Sequence, residues 1–181
     1  RDAFETVGNK PLAIIEYATA KDDGADGEVA ADAFEFAREY TARGATDLAL
    51  ADDLNPAVEL VKFTPGMDPA AWDYLDDTDG IIIEGTGLGH VHTELIPRIE
   101  ELTENGTVVA MTSQCLEGRV CDRVYDTGRD LLEAGVVEAG DTLPGTAKVK
   151  LMWVLANNDA PREAMGRSLA GELTEESQPW A

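Results

Sequence analysis

Hydrophobic positions fall into two rhythms along this chain, and their alternation gives the first picture of the fold. Val58-Glu59-Leu60-Val61-Lys62-Phe63 is a strand-like stretch, and Ile81-Ile82-Ile83 follows after a loop and a short helix. Thr107-Val108-Val109-Ala110-Met111 is the third such run. Unbroken β-branched runs predict strands buried on both faces, as in a parallel sheet. Between the second and third runs, Leu95, Ile96, Ile99 and Leu102 recur at helical spacing, predicting a helix over 93–105 that stops at Asn105-Gly106. Thr93 is its expected N-cap. Asp68-Pro69 opens a shorter helix carrying Trp72 and Leu75, with Asp68 as cap and Pro69 in the first turn.

The same reading continues toward the C-terminus. A helix is expected over 127–134, stopped by Gly135, followed by a brief extended piece at Val136-Val137. Thr142-Leu143-Pro144 opens a longer helix through Ala156, with Val149, Met152, Trp153 and Ala156 as its apolar stripe. Pro161 starts a last, polar helix, and the Glu-rich end from Glu172 is expected to fray. Strand, helix, strand, helix, strand at this spacing means an α/β fold, a small parallel sheet flanked by helices in a Rossmann-like arrangement with right-handed crossovers. Residues 55–157 carry that domain, and 158–181 a C-terminal helix and polar tail. Residues 1–54 read as an irregular linker or insert: a short strand at Leu12 to Ile15, then a loop or hairpin tip rich in Asp, Gly and Ala from Ala20 to Asp32. Phe34, Phe36 and Tyr40 supply too little apolar surface for a core of their own there, so this stretch is expected to drape over a larger neighbour.

Composition narrows the function classes. A 44% hydrophobic share is that of a globular chain, so disorder is not the starting assumption. No apolar run approaches the ~20 residues that span a bilayer, so no membrane role is read. Asp and Glu number 36 against 14 Lys and Arg, a net charge of -22 spread over the whole length. Either a basic partner or a salt-rich solvent accounts for this; at about 1 M salt the Debye length is only ~3 Å and such repulsion is screened. A groove that binds nucleic-acid phosphates unaided is excluded by the lack of a basic patch. Cys115 and Cys121 form no CxxC pair and lie near no His cluster, so a metal site is not expected and a reduced, intracellular setting fits.

Candidate chemistry gathers at two strand ends, residues 85–92 and 112–119, which neighbouring parallel strands bring face to face. They offer Thr86, His90, His92, Thr112, Ser113, Gln114, Cys115, Glu117 and Arg119. Gly85-Thr86-Gly87-Leu88-Gly89 is not a phosphate cradle of either standard spacing, since no Lys follows it and the dinucleotide fingerprint is absent. Cys115 as nucleophile needs a base, and no signal pairs it with His90. The residues themselves amount to a binding edge without a self-sufficient catalytic set.

Longer strings add a resemblance. Asp79-Gly80-Ile81-Ile82-Ile83-Glu84-Gly85-Thr86-Gly87-Leu88-Gly89-His90-Val91 resembles the Gly-rich loop of the C-terminal domain of bacterial-type L-asparaginases. Val109 to Cys115 is similar to the strand and Ser-rich turn that follow it there, and Gly118-Arg119-Val120, Tyr125-Asp126-Thr127-Gly128, Ala134-Gly135-Val136-Val137 and Lys148 to Leu155 continue the likeness in order. Within that asparaginase/glutaminase family, Thr112 to Leu132 is most similar to the glutaminase (D-type) subunits of archaeal glutamyl-tRNA(Gln) amidotransferases, and the acid-rich, Lys-poor composition resembles a haloarchaeal form.

The resemblance implies an asparaginase C-terminal-domain-like fold and an amidohydrolase whose catalytic threonines, Thr-Asp pair and Lys belong to an N-terminal domain. Their TGGT-like and GTDT-like signatures do not occur here, and Lys10 does not stand in for the missing Lys. No catalytic residue is therefore assigned within 1–181. What the family implies for this domain is an oligomer interface and a rim on the neighbouring subunit's active site, formed by Gly87, Gly89 and His90. His90 stands where periplasmic relatives carry an Asn that crosses that interface. The implied whole is a cytoplasmic homodimer that hydrolyses glutamine and passes ammonia to the tRNA-binding (E-type) subunit of the amidotransferase. ATP and Mg would be used by that partner and tRNA met only indirectly, with no cofactor held by this chain. A cytoplasmic L-asparaginase is the alternative enzyme, and a non-catalytic oligomerisation module the alternative of another class.

Overall fold

A computed structural model describes residues 11–15 and 34–175. The chain divides into two compact units, residues 1–50 and 51–181. In the first, β1 (Ala13–Ile15) pairs antiparallel with β2 (Phe34–Phe36), Ile14 opposite Glu35. The Phe36 and Tyr40 rings stack with centroids 4.7 Å apart. The loop expected over Ala20 to Asp32 lies outside the described residues.

The second unit holds the parallel sheet expected from the apolar runs. Its strands are β3 (Val58–Lys62), β4 (Gly80–Gly85), β5 (Val108–Ser113) and β6 (Val137–Glu138), in sequential order and all parallel. The register sets Ile82 beside Leu60 and Ala110. Ile81, Ile82 and Ile83 are all fully buried because both faces of β4 are covered. Successive side chains point to opposite faces, so Ile81 and Ile83 join Val109 and Met111 in one core while Ile82 joins Val58 and Ala110 in the other. The first core is closed by the Pro69–Leu75 3-10 helix, α1 (Ile96–Glu104) and α2 (Asp126–Glu133); the second by α3 (Pro144–Asn157) and α4 (Pro161–Met165). Each apolar run between turn signals thus became a strand because helices on both sides remove it from water.

Local capping follows the sequence in one place and departs from it in another. Asp68 caps the Pro69–Leu75 segment, its side chain accepting from the Ala70 N–H at 2.9 Å, but that segment winds as a 3-10 helix. Thr93 is not the cap of the next helix. His92 is: its Nδ1 accepts from the Glu94 N–H at 3.3 Å and starts a 3-10 turn, Thr93–Leu95, that feeds α1. Imidazole supplies the acceptor there that a hydroxyl was expected to give.

Helix α3 turns a different face inward from the one its apolar stripe suggested. Ala147, Lys150, Leu151 and Val154 are buried, whereas Val149 is 58% exposed and Ala156 lies in solvent. Two adjacent faces of this helix are apolar, and Lys150 made the buried one look polar. Its ammonium is satisfied inside: it donates to the Met165 and Arg167 carbonyls at 3.0 and 2.5 Å and lies 2.7 Å from the Glu172 carboxylate. The C-terminal expectations are corrected as well. Helix α4 is not polar, since Ala164 and Met165 are fully buried. Nor does the chain fray at Glu172: that carboxylate also accepts from the Leu169 and Ala170 N–H groups, and Thr174 is tied to Asp141 and Arg119.

Candidate functional site

The two strand ends do meet. At the end of β4 the chain reverses in a tight turn: Thr86 N–H donates to the His90 carbonyl at 2.9 Å, and His90 N–H returns the bond to Thr86 at 2.9 Å. Gly89 N–H shares the Thr86 carbonyl at 3.0 Å. The reversal requires positive φ at Gly87 (54°) and Gly89 (105°), conformations that side chains other than glycine resist. At Gly89 space forbids a side chain as well, because an added Cβ would lie 2.8 Å from Val120 and 2.9 Å from Met111. Gly87 has open space around it. One glycine serves geometry alone; the other serves geometry and close packing.

The end of β5 holds this turn from beside it. Ser113 Oγ donates to the Gly87 carbonyl at 2.5 Å and accepts from the Cys115 N–H at 3.0 Å. Gln114 N–H donates to Gly85 at 2.8 Å, while its Nε2 spans the ends of two neighbouring strands, reaching the Phe63 and Glu84 carbonyls at 2.6 and 2.9 Å. Thr112 Oγ1, fully buried, donates to the Ile83 carbonyl at 3.0 Å. These hydroxyls and the amide are committed to backbone, so none of them stands free as a nucleophile. From the other side, Cys121 N–H donates to the Leu88 carbonyl at 2.9 Å.

The remaining candidates separate. His90 is half-buried; its ring meets the Tyr125 ring edge-on at 5.2 Å, and neither ring nitrogen has a hydrogen-bond partner although both are out of solvent. His92 is engaged as a cap. Arg119 points away from the turn toward Thr174 and Asp141, lying 2.8 Å from the Thr174 hydroxyl and 3.6 Å from the Asp141 carboxylate. Glu117 and Cys115 are exposed, and Cys121 is half-buried, so the thiols are not both sheltered as free core cysteines would be. Among the described residues no group of three or more His, Cys, Asp or Glu could hold a metal ion. No described helix is long and apolar enough to cross a membrane.

Asp122 is a site residue that reading the sequence missed. It is fully buried under the turn, both carboxylate oxygens lack a partner, and burial together with the nearby Glu138 charge pushes its carboxyl up to about 7. Its own backbone N–H donates to Glu138 Oε1 at 2.8 Å. The signal that could have found it is Gly128 in Tyr125-Asp126-Thr127-Gly128: a Cβ at that position would run into the Asp122 backbone. A glycine inside a predicted helix marks close backbone approach, and here the approaching segment carries Asp122.

Away from the turn, an apolar hollow of about 370 Å³ opens beside α3 between Leu54, Val149, Trp153 and Leu169. The Lys150–Glu172 pair lies in its wall with the ammonium fully engaged. It therefore offers apolar surface and no free donor from that lysine.

Residues 57–166 match the glutaminase/asparaginase C-terminal domain family. Over 99% of its length the chain is 60% identical to the D subunit of glutamyl-tRNA(Gln) amidotransferase of Halobacterium salinarum, and equally to that of Haloquadratum walsbyi. It spans 42% and 39% of those two relatives. Among solved structures, the thermostable L-asparaginase from Thermococcus kodakarensis superposes with a TM-score of 0.77 at 30% identity, covering 97% of this chain and 51% of that one.

Proposed function

This chain belongs to the glutaminase/asparaginase C-terminal domain family, and we propose that it is the C-terminal part of the glutaminase subunit of a tRNA-dependent amidotransferase. The observation that carries this is the 60% identity to the D subunit of glutamyl-tRNA(Gln) amidotransferase over almost the whole chain. In this reading the full protein hydrolyses glutamine through a threonine ester in its N-terminal domain, and water then releases glutamate. The ammonia passes to the tRNA-binding (E-type) subunit, which uses ATP and Mg to convert Glu-tRNA(Gln) to Gln-tRNA(Gln). The protein works in the cytoplasm as a homodimer, and its -22 charge suits concentrated salt.

Within that enzyme the domain supplies a rim. The Thr86–His90 turn is backbone-locked at the carboxyl end of the parallel sheet, the edge where ligands of open α/β folds bind. Gly87 and Gly89 shape it, and His90, whose ring nitrogens are closed off against Tyr125 in this chain, would meet a neighbouring subunit's substrate once its ring leaves that contact. The likeness to the Thermococcus L-asparaginase favours a second reading, a free L-asparaginase of the same fold.

Side-by-side hydrolysis of glutamine and asparagine by the full-length protein, with and without its tRNA-binding partner, tests both. Glutamine turnover raised by the partner is the expected result; asparagine turnover independent of the partner would overturn it in favour of the asparaginase. Residues 1–181 assayed alone are expected to hydrolyse neither amide and to dimerise in molar salt. Inactivity together with failure to enhance any full-length partner would leave an assembly module.

A further inference from the structure

Among the described residues, Asp122 is a fully buried carboxyl with neither oxygen partnered. A carboxyl that is wholly removed from water is ordinarily hydrogen-bonded or paired, because burying it otherwise costs several kcal/mol. Here neither oxygen has a hydrogen-bond donor, and no Lys or Arg among the described residues forms an ion pair with it. Its one charged neighbour is Glu138 on β6, which is of the same sign. A group in that setting is retained neutral near pH 7 or is accommodated by movement of what lies against it.

What lies against it is the turn. A Cβ built at Gly89 would come 3.3 Å from Asp122 Oδ1, so the carboxyl packs on the backbone of the residue that precedes His90. Cys121, the preceding residue, bonds the Leu88 carbonyl of the same turn, and Val120 packs on Gly89. His90 itself has two buried ring nitrogens without partners, and the Tyr125 ring closes over it from the start of α2. Among the described residues, the titratable groups around the turn include Glu138, His90, Tyr125 and the Cys121 thiol, and Glu138 is the one that acts on the Asp122 carboxyl by charge. The Asp122 carboxyl thus packs on Gly89, the residue next to His90, whose own ring nitrogens are partnerless.

We propose that Asp122 is a positioning residue for the His90 turn, holding Gly89 and the buried imidazole in place while its carboxyl carries a proton and loosening them when it ionises. Ionisation places a second negative charge beside Glu138 in a site with no donor. The outlet is displacement of the turn, whose packing on this side is the Gly89 backbone, so that water reaches the carboxylate. His90 leaves its Tyr125 contact as the turn lifts. The inference deepens the rim reading of His90, but it concerns the turn's own mobility and can be measured apart from any activity.

Amide hydrogen exchange of residues 86–90 in the intact protein, compared with Asp122→Asn at each pH between 5.5 and 8.5, tests it. The ratio of exchange rates, wild type over variant, removes the common chemical pH dependence. It is expected to rise about tenfold across that range. Glu138→Gln keeps an acceptor for the Asp122 N–H and removes the neighbouring charge. Loss of a like charge makes the Asp122 carboxyl easier to ionise, so the rise in exchange should begin at a lower pH than in wild type. If Asp122→Asn fails to fold, the wild-type and Glu138→Gln profiles decide. A ratio that is flat with pH, or a transition unmoved by Glu138→Gln, overturns the proposal. If instead the exchange transition is present but His90 substitutions leave amide hydrolysis untouched, the rim reading fails and the switch stands.

Discussion

Lys150 and Glu172 form a buried ion pair, nitrogen to oxygen 2.7 Å, with both side chains almost fully withdrawn from solvent. Burial would raise the Glu172 carboxyl, but the Lys150 ammonium and the N–H groups of Leu169 and Ala170 outweigh it and hold the carboxyl down at about 2. The pair fixes the segment after α4 onto α3, and with it the wall of the apolar hollow. Lys150→Met leaves the Glu172 charge buried without its cation and should destabilise the folded unit by about 3–5 kcal/mol in urea unfolding. Because the folded-state carboxyl is depressed, its stabilisation is present above the ordinary carboxylate range and lost as pH falls toward 2. Wild type should therefore lose stability between about pH 5 and 2 more steeply than Glu172→Gln. Parallel acid profiles of the two would refute the pairing.

The same pair shows where reading the sequence reached and where it stopped. Ile81-Ile82-Ile83, Val109 and Met111 announced a sheet buried on both faces, since burial of an apolar strand needs no information from elsewhere in the chain. The inward face of α3 was not legible. Lys150 is buried only because carbonyls at Met165 and Arg167 and a carboxylate at Glu172 come back from the end of the next helix and the segment after it. Asp122 was missed for the same reason, since its burial depends on the glycine turn and on the close approach at Gly128, a glycine that hints at it only once that approach is recognised. The turn itself was visible in its alternating glycines, and the commitment of Ser113 and Gln114 to backbone was not.

Gly87 and Gly89 both have positive φ, but only Gly89 is hemmed in by Val120 and Met111. Gly87→Ala should cost about 1–2 kcal/mol, the strain of a left-handed alanine. Gly89→Ala adds overpacking worth roughly 1–3 kcal/mol more. Thermal or urea unfolding of the two variants gives the difference directly; equal losses would mean that the packing beneath Gly89 yields freely.

Ser113 ties the two strand ends by donating to the Gly87 carbonyl at 2.5 Å. Ser113→Ala leaves that carbonyl and the Cys115 N–H without the hydroxyl. A loss of about 1–3 kcal/mol is expected, together with faster amide exchange in the turn. Unchanged exchange at residues 86–90 would show that Thr86 and His90 hold the turn unaided.

Asp122 carries a pH dependence of opposite sign to that of Glu172. Its folded-state carboxyl is raised from 3.8 to about 7, so its contribution is fully present below the ordinary carboxylate range and is lost as pH rises through 7. Asp122→Asn removes that dependence. Relative to wild type, the variant should gain stability steadily from about pH 4 to 7, with a slope of at most about 1.4 kcal/mol per pH unit. Urea midpoints at pH 5 and pH 8 are sufficient. A difference between the two proteins that does not change with pH would place the charge of Asp122 in water.

His90 separates the function of the rim from its stability. Its ring has no hydrogen bond to lose within this chain, and its backbone bonds to Thr86 do not depend on the side chain. His90→Asn should therefore leave folding nearly intact, apart from the edge contact with Tyr125, worth about 0.5–1.5 kcal/mol. In the full-length enzyme the imidazole's proposed contact is with a substrate in the neighbouring subunit. Losing one such hydrogen bond corresponds to about 0.5–1.5 kcal/mol, a few-fold to roughly tenfold in kcat/KM. The loss should appear in KM, because the contact is made at the rim and not at the reacting amide. A fall in kcat at constant KM would move His90 from rim to chemistry, and no kinetic change with an altered unfolding midpoint would confine it to packing against Tyr125.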